Sequence, residues 1–406
     1  MFCRKAIGWR YIGPCSLIPR SHVAGEPCIN NGLKMEAVLF EQISAAEGSE
    51  IGVIVLNQPK WLNGLSLEMA QAITAQLAVW RDDERVRVIL LRGQGEKAFC
   101  AGGDLQSFYR HIPEAGRPIW SSEYLKTFFR DEYILDYTIH TYPKPIICWG
   151  NGYVMGGGAG LMMGCSHRVA TETTRFAMPE ISIGVVPDVG ASWFLNRMPE
   201  FFGRFLAMTG TSINAADTIF LGLTQYVAGS GQWEQLVRDL QAQAWHTRRD
   251  VNDALIDRIL RRSTPEYLVQ GVTQRCADAI QSACGGPDFM STYRNILQWE
   301  SAADESLSQA AQRMKAGSPG SVRLAFELLK KGRFMSLADA FRLEYVAALN
   351  CAGSPDLKEG IRALLIDKDR SPSWTPATID ETGSGFVERY LQPPWPAGEG
   401  HPLNCL

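Results

Sequence analysis

The first half of the chain alternates short apolar runs with segments in which apolar residues recur at helical spacing. Residues 51–56 and 86–91 are rich in Val, Ile and Leu and are bounded by turn residues, which predicts two strands. Between these runs, Ser66 precedes a stripe on one helical face that is formed by Leu67, Ala70, Ile73, Leu77 and Trp80. This pattern predicts a helix with Ser66 as its N-cap. The segment is therefore expected to fold as strand, helix and strand.

The same order recurs further along the chain. A strand is predicted at 145–149, a helix of small residues at 158–164 and another strand at 166–170. Three consecutive glycines, at 156–158, stand at the start of this helix. Glycine inside a helix costs about 1 kcal/mol relative to alanine, so helix formation does not explain them. They are expected where the backbone approaches a ligand closely and where a helix begins with unpaired amides.

Long amphipathic helices dominate the pattern of the second half. From about residue 233 to 349 apolar positions follow helical periodicity, most clearly at 322–331 and 337–349. The last residues, 377–406, are rich in Pro and Gly, which predicts an irregular tail. We therefore expect a helical C-terminal region at 233–376, packed on the rest of the molecule or on a neighbouring subunit.

The remaining two segments complete the predicted domain organisation. Residues 1–34 hold Arg4, Lys5, Arg10 and Arg20 against a single acid amid Gly, Pro and Cys. This composition predicts a disordered extension or a targeting segment. The α/β core, which is expected to hold the active site, is placed at 35–232.

Composition narrows the classes of function. The chain has 406 residues, of which 46% are hydrophobic and 20% charged, as in a globular protein with a large core. Its formal net charge of −3 provides no electrostatic basis for binding nucleic acid. The ten cysteines are scattered, with no C-x-x-C pair or Cys/His cluster, so we expect reduced thiols and no metal site. No apolar run reaches the roughly 18 to 20 residues that cross a bilayer.

Two glycine segments and two carboxylates carry the candidate chemistry. The segments 97–104 and 155–160 lie upstream of Met-Pro-Glu at 178–180 and Pro-Asp-Val-Gly at 187–190. Backbone N–H groups from two loops can converge on one oxygen and stabilise the negative charge that develops on a carbonyl. Thioester chemistry is therefore the natural candidate.

Two other interpretations of these motifs fail on spacing. A dinucleotide-binding fingerprint needs glycines at n, n+2 and n+5, but the last place is Met155, Leu161 or Met163 for each starting glycine. A nucleophile elbow needs Gly-x-Ser-x-Gly, and the nearest match, at 164–168, ends in Arg168.

The motifs at 97–104, 142–145, 151–161 and 176–197 resemble the crotonase (enoyl-CoA hydratase/isomerase) superfamily. The likeness extends over about 35–376. Within the superfamily, four motifs and the C-terminal segments 359–369 and 371–374 resemble the subfamily of 3-hydroxyisobutyryl-CoA hydrolases. The motifs are Gly-Gly-Gly-x-Gly-Leu, Arg-Val-Ala-Thr-Glu, Phe-Ala-Met-Pro-Glu and Pro-Asp-Val-Gly. The resemblance implies an α/β fold, a crotonase-like spiral of β-β-α repeats with a helical C-terminal region. Periodicity alone does not predict the spiral.

The resemblance also implies roles for five residues. Gly103 and Gly157 match the positions whose amides form the oxyanion hole. Glu180 matches the catalytic carboxylate, either as a nucleophile that attacks the thioester or as a general base on water. Asp188 matches an acid that contacts the substrate hydroxyl or the attacking water, and Glu132 matches a substrate-contacting glutamate. A charged, solvated helix face is the alternative for Glu132.

One absent glutamate distinguishes the hydrolase hypothesis from the hydratase activity of related proteins. Hydratases of the superfamily use two glutamates, and the place of one of them is taken here by Gly160. This argues against hydratase activity. An enoyl-CoA isomerase with Glu180 as its only proton shuttle stays open, as does a non-catalytic acyl-CoA-binding protein.

The expected ligand is an acyl-CoA substrate, with no cofactor besides the CoA that the substrate carries. Lys97, Lys144 and Arg168 are candidates for contacts with CoA, with ordinary solvated charges as the alternative. Crotonase relatives commonly form trimers or hexamers, so a homo-oligomer stays open. The compartment is expected to be the cytoplasm for a bacterial protein and the mitochondrial matrix for a eukaryotic one.

Overall fold

The computed structural model describes residues 36–114, 116–262 and 268–406. The segment predicted at 1–34 therefore lies outside the described residues. The predicted boundaries at 232 and 376 both fall within a single unit, Glu36–Leu406.

The described residues form nine strands in two sheets. The strands are β1 (Val38–Ser44), β2 (Glu50–Leu56), β3 (Val86–Gly93), β4 (Ala98–Cys100), β5 (Ile146–Gly150), β6 (Tyr153–Met155), β7 (His167–Thr171), β8 (Arg175–Ala177) and β9 (Tyr226–Ala228). The larger sheet has the order β1-β2-β3-β5-β7-β9, and the smaller has the order β4-β6-β8. All pairs are parallel except the antiparallel pair of β1 and β2. Each of β3, β5 and β7 thus passes directly into a short strand of the smaller sheet, which produces the predicted spiral.

Helices follow these strand pairs and then fill the C-terminal region. They are α1 (Leu67–Asp82), α2 (Leu105–His111), α3 (Glu123–His140), α4 (Gly157–Gly164), α5 (Ala191–Phe194), α6 (Phe202–Thr209), α7 (Ala215–Phe220), α8 (Trp233–Gln241), α9 (Arg249–Arg261), α10 (Val272–Arg275), α11 (Ala277–Cys284), α12 (Phe289–Leu297), α13 (Glu305–Ala316), α14 (Pro319–Gly332), α15 (Leu337–Ala352), α16 (Pro355–Ile361) and α17 (Ser384–Tyr390). A π-helical turn, Arg362–Ile366, follows α16. None of the helices in the described part of the chain is long and apolar enough to cross a membrane.

The predicted elements agree with the structure to within a few residues. The N-cap of α1 is Ser66, whose side chain accepts a hydrogen bond from the Met69 N–H. The predicted strands and helices of the first half all form. In the second half, the two clearest predicted helices are α14 and α15.

The prediction of an irregular tail at 377–406 is wrong in part. Helix α17 forms there, because Phe386 and Val387 are adjacent apolar residues that bury against the main core. The tail otherwise lacks long regular elements among its residues.

The larger sheet is buried on both faces, as a mainly parallel sheet requires. Side chains alternate along β3, so that Ile89 packs into the core beneath α1 and α3, while Leu90 packs towards α8 and α9. Helix α15 of the C-terminal region lies against α3 and α5. This contact brings a late part of the chain next to the segments that precede and follow the glycine motif.

Candidate active site

Three of the five predicted site residues follow the three strands of the smaller sheet. Gly103 comes after β4, Gly157 after β6 and Glu180 after β8. Because these strands are parallel, their carboxyl ends meet at one edge of the sheet. The site is therefore assembled by the spiral itself.

All five predicted residues line one cavity of about 300 Å³. Glu132 reaches it from α3, and Asp188 reaches it from the loop before α5. The rest of the wall is mainly apolar and includes Leu105, Phe108, Phe129, Val185, Leu357 and Leu364. Apolar walls with a few convergent polar groups are typical of a small-molecule site.

The two glycine segments present free amides to this cavity. Gly102 and Gly156 have φ angles of +109° and +50°, a conformation that glycine adopts at no steric cost. The N–H groups of the residues that follow, Gly103 and Gly157, donate no hydrogen bond to any described residue. Such unpaired donors are what a developing oxyanion needs.

Glycine at 157 also leaves space for the carboxyl of Glu132 beside the backbone. A Cβ atom added at Gly157 would lie 2.4 Å from the Oε1 atom of Glu132. Glu132 is buried, and burial, followed by the charges of Asp188 and Glu180, raises its pKa well above the ordinary value. The alternative of a solvated helix face is thereby excluded for Glu132.

Glu180 opens a short 3-10 turn after Pro179 and is 5% exposed. Its Oε1 atom lies 3.2 Å from the position that a Cβ of Gly156 would take, so the carboxyl stands beside the glycine segment. Its Oε2 atom is buried and has no hydrogen-bond partner in the described part of the chain. Burial, and then the charge of Asp188, raises the pKa of Glu180 well above its ordinary value. Perturbed buried acids of this kind cluster at functional sites.

Asp188 is held by a neighbour that the sequence motifs did not single out. The hydroxyl of Tyr133 donates a hydrogen bond of 2.5 Å to Asp188 Oδ2. Burial raises the pKa of Asp188 to about 6, although this hydrogen bond opposes the shift. The next residue, Val189, has a φ of +52°, which is rare for a β-branched side chain. Strained backbone of this kind persists where surrounding contacts hold it in place.

Glu344, on α15, supplies those contacts. One of its carboxylate oxygens accepts the Gly190 N–H at 2.7 Å, and the other accepts the Ser192 N–H at 2.7 Å and the Ser192 hydroxyl. The side chain is fully buried, and burial raises its pKa to about 8. Sequence reasoning missed this residue. Its signal is a lone acid on the apolar face of α15, three residues after Phe341 and four before Ala348.

Asp136 is a second acid that sequence reasoning missed. It lies one turn after Glu132 on the buried face of α3, and neither of its carboxyl oxygens has a hydrogen-bond partner among the residues described. Burial, and then the charge of Glu132, raises its pKa well above the ordinary value. The spacing of Glu132 and Asp136 on the apolar stripe of α3 was available as a signal.

The position of Gly160 has no space for the glutamate that hydratases carry there. A Cβ added at Gly160 would lie 2.6 Å from the Val189 Cβ and 2.9 Å from the Asp136 Oδ2. The packing around α4 therefore excludes a glutamate at this position.

Five buried carboxyls thus surround or support the cavity without a cation beside them. Within the described ranges, no salt bridge involves Glu132, Asp136, Glu180, Asp188 or Glu344. The charge of a neighbouring acid adds to burial in raising the pKa values of Glu132, Asp136, Glu180 and Glu344, so ionisation of one acid disfavours ionisation of its neighbours.

The three basic candidates for CoA contacts do not line this cavity. Lys144 donates to the Trp80 and Asp83 carbonyls, and Arg168 donates to the Leu223 and Cys165 carbonyls. Both side chains therefore satisfy backbone groups. No cluster of three metal-ligating side chains occurs in the residues described.

Comparisons with known proteins agree with this geometry. Residues 51–391 match the family model described as enoyl-CoA hydratase/isomerase. The chain is 39% identical over 352 residues to "3-hydroxyisobutyryl-CoA hydrolase, mitochondrial" of Danio rerio, covering 87% of this chain and 88% of that protein. It is 32% identical over 367 residues to "3-hydroxyisobutyryl-CoA hydrolase 1" of Arabidopsis thaliana, covering 89% and 94%. A carnitinyl-CoA dehydratase from Mycobacterium thermoresistibile has a similar crystal structure, with a TM-score of 0.77, 31% identity and coverage of 88% and 97%.

Proposed function

Because the chain belongs to the enoyl-CoA hydratase/isomerase family, we propose that its substrate is a short, branched 3-hydroxyacyl-CoA, with 3-hydroxyisobutyryl-CoA as the first candidate. The products are the free hydroxy acid and CoA. The names of the relatives from Danio rerio and Arabidopsis thaliana support hydrolysis of this substrate. The observation that carries the proposal is one cavity with two free glycine amides, Glu180 and Asp188, in which no second glutamate fits at Gly160.

The free amides would bind the thioester oxygen. In the proposed mechanism, the N–H groups of Gly103 and Gly157 donate to the carbonyl oxygen and stabilise the negative charge of the tetrahedral adduct. Loss of one such donor typically raises the barrier by about 3 to 4 kcal/mol.

Glu180 would begin the reaction in one of two ways. As a nucleophile, it forms a C–O bond to the carbonyl carbon, the C–S bond breaks, the CoA thiolate takes up a proton and water then hydrolyses the anhydride. As a general base, it takes a proton from the water that attacks the same carbon, and the C–S bond breaks in the same way. Both routes require the ionised carboxylate and need no metal or redox cofactor.

Asp188 and Glu132 would orient the substrate and the water. Asp188 is fixed by the Tyr133 hydroxyl and lies on the loop that Glu344 holds. Burial, and then the negative charge of Asp188, raises the pKa of Glu180, so ionisation of one acid disfavours ionisation of the other. Glu132, with a raised pKa, can present a protonated carboxyl that donates to the substrate hydroxyl.

The apolar walls set the size of the acyl group. Phe108, Phe129 and Val185 line the cavity, and aromatic and β-branched side chains there leave space for a short, branched chain rather than a long one. For a eukaryotic source we propose the mitochondrial matrix, which is supported by the word "mitochondrial" in the name of the Danio rerio relative.

The decisive experiment follows CoA-thiol release with a thiol reagent. The substrates are 3-hydroxyisobutyryl-CoA, 3-hydroxypropionyl-CoA and crotonyl-CoA, and the enzymes are the full chain, Glu180→Gln, Asp188→Asn and a control, Glu68→Gln, at an exposed site on α1. We expect rapid release from the hydroxyacyl thioesters and a loss of about 100-fold or more in both site variants, since a positioned acid or base contributes about that much. The control should match the wild type.

Three results would contradict the proposal. Absence of thiol release from all three thioesters would exclude hydrolysis. Isomerisation of a 3-enoyl-CoA that survives Asp188→Gly would indicate an isomerase in which Glu180 alone shuttles the proton. Ligand binding without any turnover would indicate a non-catalytic acyl-CoA-binding protein.

A further inference from the structure

A second cavity, of about 360 Å³, lies at the opposite ends of the two helices that build the active site. Helix α3 carries Glu132 in its middle and ends at His140, and α4 begins at Gly157 and ends at Gly164. His140 and Gly164 line the second cavity, which shares no lining residue with the first. It is therefore a separate site, and its interpretation does not depend on the proposed hydrolase function.

The charges around this cavity all have one sign. Arg168 and Arg197 line it, and no Asp or Glu does so among the residues that the structure describes. Neither guanidinium forms a salt bridge within the described ranges. Burial lowers the pKa of both side chains. Arg168 is half-buried, whereas Arg197 is exposed at the rim of the cavity. A partly desolvated cation such as Arg168 without a counterion is costly, and a bound anion would reduce that cost.

Both guanidinium groups are held in place with donors to spare. Arg168 uses its Nε and Nη1 atoms to donate to the Leu223 and Cys165 carbonyls, at 2.6 and 2.9 Å. Its Nη2 atom donates to no residue in the described part of the chain. Arg197 stacks on the ring of Trp193 with its Cζ atom 3.6 Å from the ring centroid. A guanidinium has five N–H groups in a planar fork that matches a carboxylate or phosphate.

Within the described ranges, the remaining lining carries no further charged side chain and consists of His140, Ser166 and mainly apolar residues. The Nε2 atom of His140 is buried without a hydrogen-bond partner among described residues, and burial lowers its pKa to about 4, so the ring is uncharged at neutral pH. An unsatisfied buried polar atom is rare in native structures, and His140 is one of the residues that line this cavity. Met163, Phe194 and Met198 form an apolar part of the wall, which favours an organic anion over an inorganic one.

We propose that this cavity binds a short-chain carboxylate. The carboxylate group lies between Arg168 and Arg197, and the carbon chain lies against the apolar wall. The site is distinct from the catalytic cavity and is occupied independently of it.

Calorimetric titration of the full chain with isobutyrate tests this site at constant ionic strength. Isobutyramide has nearly the same shape without the charge and is the matched control ligand. Isobutyrate is expected to bind and isobutyramide is not. Arg197→Gln should weaken isobutyrate binding by roughly tenfold or more, since a hydrogen bond to a charged group is lost. Arg258→Gln, at an exposed site on α9 outside the cavity, and Glu180→Gln should bind as the wild type does.

Arg168→Gln provides a second test, and circular dichroism establishes whether it folds, since Arg168 also bonds to backbone. Arg197→Gln breaks a single backbone contact and keeps the test valid if Arg168→Gln does not fold. The proposal is overturned if isobutyrate does not bind, if it binds equally well to Arg197→Gln, or if Glu180→Gln abolishes binding. Tighter Arg197-dependent binding of inorganic phosphate than of isobutyrate would also overturn it, because the ligand would then be a phosphate.

Discussion

Replacement of Asp136 by Asn separates the charge of this buried acid from its shape. Asp136 is fully buried on α3, and neither of its oxygens has a partner among the described residues. Burial and the neighbouring Glu132 raise its pKa well above the ordinary value. We therefore expect the folded protein to keep Asp136 protonated at pH values where the unfolded chain has released this proton.

The sign and size of the effect follow from proton linkage. An unfolded Asp ionises near pH 3.9. Above this pH, and until the folded group itself ionises, the folded state holds one proton that the unfolded state lacks, so this group lowers the free energy of unfolding by about 1.4 kcal/mol per pH unit. The stabilising effect of protonation is thus complete at low pH and is lost as the pH rises. The Asn variant has no proton to lose and lacks this slope.

The Asn amide also lowers the free energy of unfolding by an amount that does not depend on pH. Its buried NH₂ group finds no acceptor, which destabilises the fold by about 1 to 3 kcal/mol. Because the wild type loses about 1.4 kcal/mol per pH unit relative to the variant, the two stability curves should cross about one to two units above the Asp pKa, at about pH 5 to 6. Asp136→Asn should therefore be less stable than the wild type at pH 4.5 and more stable at pH 7.

Urea unfolding, followed by tryptophan fluorescence at a series of pH values, measures this difference. Urea carries no charge and leaves electrostatic effects unscreened. Asp278→Asn, at an exposed position on α11, is the control and should give a curve parallel to that of the wild type. Parallel curves for Asp136→Asn and the wild type would refute the reasoning, since they would mean that Asp136 releases its proton equally in both states.

Three further predictions concern the catalytic cavity. Glu344→Gln should lower kcat by about tenfold or more and the free energy of unfolding by about 1 to 3 kcal/mol, because an amide NH₂ would face a backbone N–H. Steady-state kinetics measures the first effect and urea unfolding the second, with Glu388→Gln as an exposed control. Gly160→Glu should not produce crotonyl-CoA hydration, because its Cβ would meet Val189 at 2.6 Å, and any gain of hydration in a spectrophotometric assay would contradict this packing argument. In the wild type, kcat/KM for thioester hydrolysis should rise with pH through about 6 and beyond, because burial raises the pKa of Asp188 to about 6 and that of Glu180 well above its ordinary value. A flat pH profile would exclude a requirement for the ionised carboxylates.

Much of the local structure and the identity of the cavity residues could be predicted from the sequence. The N-cap at Ser66 and the apolar stripe of α1 depend on residues within a few positions of each other, so their pattern can be recognised in a short stretch of sequence. The glycines at 156–158 were recognisable because only a close backbone approach requires them. The resemblance then brought together Glu180, Asp188 and Glu132, which the structure places in one cavity.

Tertiary structure alone decided how the site is held together. The short strands β4, β6 and β8 have three residues each, which is too few to show the alternation of apolar and polar residues that predicts a strand. They nevertheless place Gly103, Gly157 and Glu180 at one edge of the smaller sheet. Glu344 bonds to Gly190 across 154 positions of sequence. An acid in an amphipathic helix carries no local sign of whether solvent or another helix will cover it. Its burial, and with it the shift of its pKa, depends on which distant segments pack there, which for Glu344 are α3 and α5 against α15.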